Sequence, residues 1–167
     1  HTADKGGPAA RAKKTLATTA ALAVSGDVVH ALPGVYNVGE MLSLERYYTS
    51  EALRIKSRVV VPRGVTLVAD GPRDETVIEG APATLARAQG SSLDTAMGSF
   101  ETCLADYGCG SNAMRCVTLL PGALIKGFTL RQGRTDVINN DTCDNYTGGA
   151  VLGMDYRTCF VEDCLVE

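Results

Sequence analysis

The sequence predicts a mainly β protein, a coil of short parallel strands closed at one end by a single helix. Three observations carry this expectation. The 167 residues include 18 Gly but no Trp and three Phe, a composition that suits short strands and tight turns better than a helical bundle. Apolar runs are punctuated by Pro-Gly and Pro-Arg-Gly. One order, apolar strand then turn then apolar strand, recurs in 59–68 (VVVPRGVTLV) and 117–130 (VTLLPGALIKGFTL).

Taken in chain order, Pro8 stands where a first helical residue would, and 9–25 is Ala-rich. Leu16, Ala20, Ala23 and Val24 fall on one helical face, with Arg11, Lys13 and Lys14 largely off it. A helix over 9–25, stopped by Gly26, is therefore expected. Strands follow over 27–34, ended by Pro33-Gly34, and over 58–69, split by Pro62-Arg63-Gly64. Further strands are expected over 76–80, 116–130 (split by Pro121-Gly122), 148–152 and 158–166. Two inserts break the pattern. Residues 39–56 hold Met41, Leu42, Leu44, Tyr47 and Tyr48 and suit a helical turn, whereas 81–115 is small, polar and Gly/Ser-rich.

The repeat spacing can be read from the starts of the apolar runs. Leu124 and Ala150 stand one unit of roughly 25 residues apart, and so do Val65 and Leu124 once the insert 81–115 is set aside. Such a unit is within the range of solenoid repeats, in which each unit buries its apolar face on its neighbours. The open first unit needs a cover, and helix 9–25 is placed to supply it. Hairpins would call for two-residue Asn-Gly or Asp-Gly turns. Asp70-Gly71 is such a pair, but Pro72 follows it, and the strands read as near-continuous apolar runs, as buried parallel strands do.

A net charge of −3 leaves no basic stripe for phosphates and argues against nucleic acid as a partner. No apolar run approaches the roughly 20 residues of a membrane span. Six Cys lie between Cys103 and Cys164 without a CxxC pair, and with two His the ordinary zinc spacings are absent. Disulfides in an oxidising compartment are the expectation, with stacked free thiols in the core as the rival. Cys103 with Cys109, and Cys143 with Cys159 or Cys164, are the candidate pairs. The chain begins His1-Thr2-Ala3 and ends within the strand-like run 161–167. It reads as a single domain, 1–167, cut from a longer chain.

The chain resembles the right-handed parallel β-helix proteins of the pectate-lyase-like group, above all large bacterial secreted ones. The matching residues are Lys14-Thr15-Leu16, Ser25-Gly26-Asp27-Val28-Val29, Pro33-Gly34-Val35-Tyr36, 57–67, Thr76-Val77-Ile78-Glu79-Gly80, 115–119, 125–130 and Gly148-Gly149. Together they touch about two thirds of the chain. The resemblance implies a right-handed parallel β-helix, a secreted or cell-surface location, and a polysaccharide or cell-surface component as partner. It is weak for activity, since the group includes lyases, hydrolases, esterases and proteins without known activity.

Candidate chemistry is sparse. His30 follows Val28-Val29 but has no second His and no Ser or Cys motif beside it, so a strand-face histidine is the expectation. Acidic-polysaccharide lyases of the group set cations on the outer surface to neutralise uronates, which makes Lys126, Arg131 and Arg134 candidate ligand contacts. Asp136, Asp141 and Asp144 lie in an Asn/Asp-rich loop whose oxygens suit calcium, though without EF-hand spacing. No catalytic set is complete. Two functional readings stand: a capped portion of an extracellular binding scaffold, or part of a polysaccharide lyase or glycoside hydrolase whose site lies beyond Glu167.

Overall fold

The computed structural model describes residues 15–39, 41–43, 55–82, 113–134, 149–154 and 157–167. The first element is a short helix, α1 (Leu16–Ala21). Thr15, in extended conformation, caps it by accepting the Thr18 N–H on its hydroxyl at 3.2 Å. Leu16, Ala17 and Ala20 are buried, and the helix packs on β1 and β4, defined below. The expected helix over 9–25 is thus corrected at its C-terminal end, while residues 9–14 lie outside the described chain. The physical reason is a competing turn. Asp27 accepts the Val24 N–H on its carboxylate (2.9 Å) and returns its own N–H to the Val24 carbonyl. Gly26, at φ +94°, serves that turn, not the helix end.

Beyond the turn the chain is mainly β. The strands are β1 (Val28–Ala31), β2 (Gly34–Tyr36), β3 (Met41–Ser43), β4 (Ile55–Val61), β5 (Thr66–Ala69) and β6 (Thr76–Glu79), with a 3-10 turn at Arg73–Glu75. They continue with β7 (Arg115–Leu119), β8 (Leu124–Lys126), β9 (Thr129–Arg131), β10 (Val151–Gly153), β11 (Phe160–Glu162) and β12 (Leu165–Val166). Three four-stranded sheets result: a first of order β1-β5-β8-β11, a second of order β12-β9-β6-β2 and a third of order β10-β7-β4-β3. From β4 onward successive strands enter the third, first and second sheets in turn. All described pairings between strands are parallel except β3 with β4, which is antiparallel (Met41↔Ser57). Met41–Ser43 is thus a strand in place of the expected helical turn. Ile55 and Lys56 belong to β4, and Met114 with Arg115 leads into β7, so both inserts are shorter than 39–56 and 81–115.

The corners explain why the strands stop where they do. Between the third and first sheets the chain turns at Pro62-Arg63-Gly64 and again at Pro121-Gly122, where proline lacks the N–H a ladder needs. The corners are tied to each other: the Gly26 N–H donates to the Gly64 carbonyl at 2.9 Å and the Gly64 N–H to the Pro121 carbonyl at 3.1 Å. Gly64 and Gly122 hold φ of +65° and +78°, the left-handed region that glycine tolerates. Connections from third to first sheet and from first to second are short, as at 62–65, 120–123 and 127–128. Those from second to third are long and unequal: 37–54 separates β2 from β4, 80–114 separates β6 from β7 and 132–150 separates β9 from β10.

The pairing corrects the repeat. Leu124 aligns with Phe160 and not with Ala150, while Val117 aligns with Val151. Val28 aligns with Thr66 and Thr66 in turn with Leu124, so the interval changes from one pair to the next. A constant spacing of about 25 residues, as in a regular solenoid, is therefore not the register of this chain.

Alternation in each strand sends one set of side chains inward. Val29, Leu67 and Ile125 form one ladder, Ile78 and Leu130 a second, and Val59, Val61, Val117 and Leu119 fill the third sheet's share of the core. Each such buried aliphatic chain contributes about 1.5–3 kcal/mol. At the β11–β12 edge the same ladders reach Val161 and Val166, which remain 47% and 57% exposed.

Candidate functional site

The outward positions distinguish the sheets. In the third sheet Val60, Thr118 and Leu152 are buried, and Leu152 packs with Met154 against Leu120 in a small apolar cluster of its own. In the second sheet Val77 and Thr129, on the two central strands, are buried as well. The first sheet alone among those described presents its whole outward face. That face carries two stripes running across the strands. One is Val28, Thr66, Leu124 and Phe160; the other is His30, Val68, Lys126 and Glu162. Val28 and Phe160 are about half exposed, at 53% and 52%, and Thr66, Val68 and Leu124 are partly so.

The polar groups on and around this face are mostly paired. His30 Nδ1 lies 2.6 Å from Asp70 Oδ1, a pair in which the ring N–H donates and the carboxylate accepts. Both are exposed, and no hydroxyl or thiol among the described residues hydrogen-bonds to His30, so no nucleophile joins the pair. Tyr36 donates its hydroxyl to the Leu32 carbonyl. Burial, reinforced by the Asp70 carboxylate, pushes the Tyr36 phenol above its ordinary range.

The three cations singled out in the sequence are not gathered on one face. Lys126 points outward from β8 and pairs with Glu162 at 3.3 Å, one strand away in register. Arg131 ends β9 in the second sheet and puts Nε and Nη2 on Glu79 Oε2 at 3.0 and 2.8 Å, while Arg58 Nε donates to the Glu79 carbonyl at 2.9 Å. Arg134 donates to the Gly133 carbonyl at 2.9 Å. Asp136, Asp141 and Asp144 lie outside the described residues, as do Cys103, Cys109 and Cys143. Among the described residues no group of three or more His, Cys, Asp or Glu is placed to hold a metal ion.

Cys159, the remaining disulfide candidate, carries a free thiol, as do Cys116 and Cys164. The reason is local: the Cys159 thiol faces the Leu119 and Leu120 carbonyls at 3.4 and 3.5 Å and packs against the main core. Residues 158–166, expected as one strand, are two strands with a corner at Asp163 (φ +47°). Burial pushes the Cys116 thiol up to about 11, opposed by hydrogen bonds from the Gly80, Arg131 and Gly133 backbone and by the Arg58 charge. The folded state therefore holds a proton at Cys116 that the unfolded state releases. Stability from this site should be complete below about pH 9 and fall as pH rises toward 11. Urea midpoints measured across that range should drop less steeply for Cys116→Ala than for the parent.

Among the described residues the Thr129 hydroxyl is buried without a hydrogen-bond partner. Such a group costs about 1–3 kcal/mol, and an isosteric apolar replacement removes the cost. Thr129→Val is therefore expected to raise stability by about 1 kcal/mol, read as an upward shift of the urea midpoint; a loss would mean the hydroxyl is satisfied in solution.

The His30–Asp70 pair escaped the sequence because Asp70 reads there as a turn residue. The signal that finds it is the alignment of 28–31 with 66–69, which sets Asp70 diagonally beside His30. No protein-family model, no curated protein and no solved structure matches the chain. What the described residues define is a mainly parallel-β protein with one short helix among them. Among the described residues no helix is long and apolar enough to cross a membrane.

Proposed function

We propose that the chain is the helix-capped N-terminal portion of an extracellular right-handed parallel β-helix, a scaffold that binds polysaccharide or a cell-surface component through the outward face of its first sheet. The constant order in which the strands enter the three sheets supports the coil, and parallel crossover connections are right-handed in nearly all proteins. The observation that carries the binding reading is the exposed face of the first sheet, which has no buried outward position, whereas Val60, Thr118 and Leu152 in one companion and Val77 and Thr129 in the other are buried. A flat face with an apolar stripe beside a polar one matches a polymer with C–H surfaces and a rim of hydroxyls.

The test is affinity electrophoresis of the whole chain in gels cast with a panel of neutral and acidic polysaccharides. Retardation by at least one of them is expected, with loss of retardation when Val28 and Leu124 are replaced by Asp. A panel that retards nothing would sink the reading, and unsaturated products released from any of the polymers would replace binding with lyase activity.

A further inference from the structure

We infer that the ligand of the first sheet's outward face is an uncharged, flat, equatorially linked polysaccharide laid across the strands, an inference that rests on the binding reading above. The geometry gives the direction. Both stripes are cross-strand ladders in register, Val28–Thr66–Leu124–Phe160 and His30–Val68–Lys126–Glu162. Their side chains therefore recur at the strand spacing of about 4.8 Å, close to the length of one sugar in such a chain. A polymer lying across the strands follows a mainly apolar row (Val28, Leu124 and Phe160, interrupted by Thr66) beside a mainly polar one (His30, Lys126 and Glu162, interrupted by Val68), whereas one lying along a strand meets a single residue of each row.

The chemistry of the stripes gives the class. Val28, Leu124 and the half-exposed ring of Phe160 offer apolar surface to the axial C–H faces of a flat sugar chain. Beside them, the His30–Asp70 and Lys126–Glu162 pairs offer donors and acceptors to ring hydroxyls. Charge decides between neutral and acidic polymers. Lys126 is already matched by Glu162 at 3.3 Å, and the carboxylates of Asp70 and Glu162 stand on or beside the face. A polyuronate would have to displace Glu162 and approach both carboxylates, at a repulsive cost. A neutral chain leaves every pair intact.

Titration calorimetry of the whole chain with cellohexaose and with hexagalacturonate, at low and high salt, tests this. Cellohexaose should bind with an affinity that salt leaves unchanged. Phe160→Ala should weaken it about tenfold, and Leu124→Ser should do the same on the neighbouring strand if the first variant folds poorly. Hexagalacturonate should bind measurably only to Glu162→Gln, where Lys126 has lost its carboxylate, and salt should abolish that binding. Salt-sensitive binding of hexagalacturonate to the parent overturns the inference and leaves the polysaccharide reading standing. Absence of binding by both oligosaccharides overturns the inference as well. The binding reading itself falls only when the gel panel also retards nothing.

Discussion

Replacing Gly133 with alanine is expected to destabilise the protein by about 3 kcal/mol or more, among the largest single-residue effects in the chain. A Cβ at Gly133 would stand 2.2 Å from the Gly149 carbonyl oxygen and 2.8 Å from the Ala150 Cα. These are backbone atoms that no rotamer change moves aside. Gly80 is in the same situation, its Cβ falling 2.4 Å from the Met114 oxygen and 2.6 Å from the Gly133 Cα. The three glycines Gly80, Gly133 and Gly149 thus lie against one another where chain segments leaving the second sheet meet those entering the third. Widening one contact moves the Met114–Ala81 and Met114–Arg134 backbone hydrogen bonds beside it. Gly26 supplies the control. It has a left-handed φ but open space around its Cβ, so Gly26→Ala should cost about 1–2 kcal/mol from conformation alone. Urea denaturation followed by circular dichroism reads both. Equal losses at Gly26 and Gly133 would show that close approach is not what selects glycine at Gly133.

Phe128→Ala should cost about 3–5 kcal/mol. Phe128 is fully buried, one of the largest side chains in the core, and follows the Gly127 corner (φ +81°) between β8 and β9. Its ring belongs to the cluster that joins Ile125 and Leu130, so it ties the first sheet to the second. Its carbonyl accepts the Leu165 N–H at 2.9 Å, holding β12 in register. Phe128→Leu, which keeps much of the apolar volume, should cost well under half as much. The urea midpoint separates the two. If alanine and leucine behave alike, the ring is not filling the space between the sheets.

How much of this was legible in the sequence depended on how local the cause was. Pro62-Arg63-Gly64 and Pro121-Gly122 marked real corners, because proline and glycine act on their own backbone, and β4, β5, β7 and β8 lie on either side of them. The Gly148-Gly149 pair read only as the start of the expected strand 148–152, yet Gly149 is one of the three glycines in close approach. Misread features were those set by distant partners. The interval from Leu124 to Ala150 looked like a repeat because both begin apolar runs, yet Leu124 pairs with Phe160. Periodicity cannot give register when connections from second to third sheet differ in length. Residues 158–166 looked like one strand because Asp163 carries no glycine or proline signal, although aspartate tolerates the left-handed corner it makes. Cysteine number left a bridge and a free thiol both open at Cys159, since number says nothing about what a thiol faces. The candidate face was the least legible part. His30, Lys126 and Glu162 fall into one row only through pairings between strands that are distant in the chain.

The unequal corners have a consequence for how such a chain can change. Two of the three turns are short, and those at Gly64 and Pro121 are tied to their counterparts by backbone hydrogen bonds, so residues added at those two points would disturb the ties. The connection from second to third sheet already varies widely, as 37–54 and 80–114 show, while Ser57 still pairs with Arg115 and Val117 with Val151. Lengthening a loop adds only about 0.6 kcal/mol per doubling. This corner is therefore the place where foreign peptides can be grafted, or where new loops can arise in evolution, with the first sheet's face left as it is.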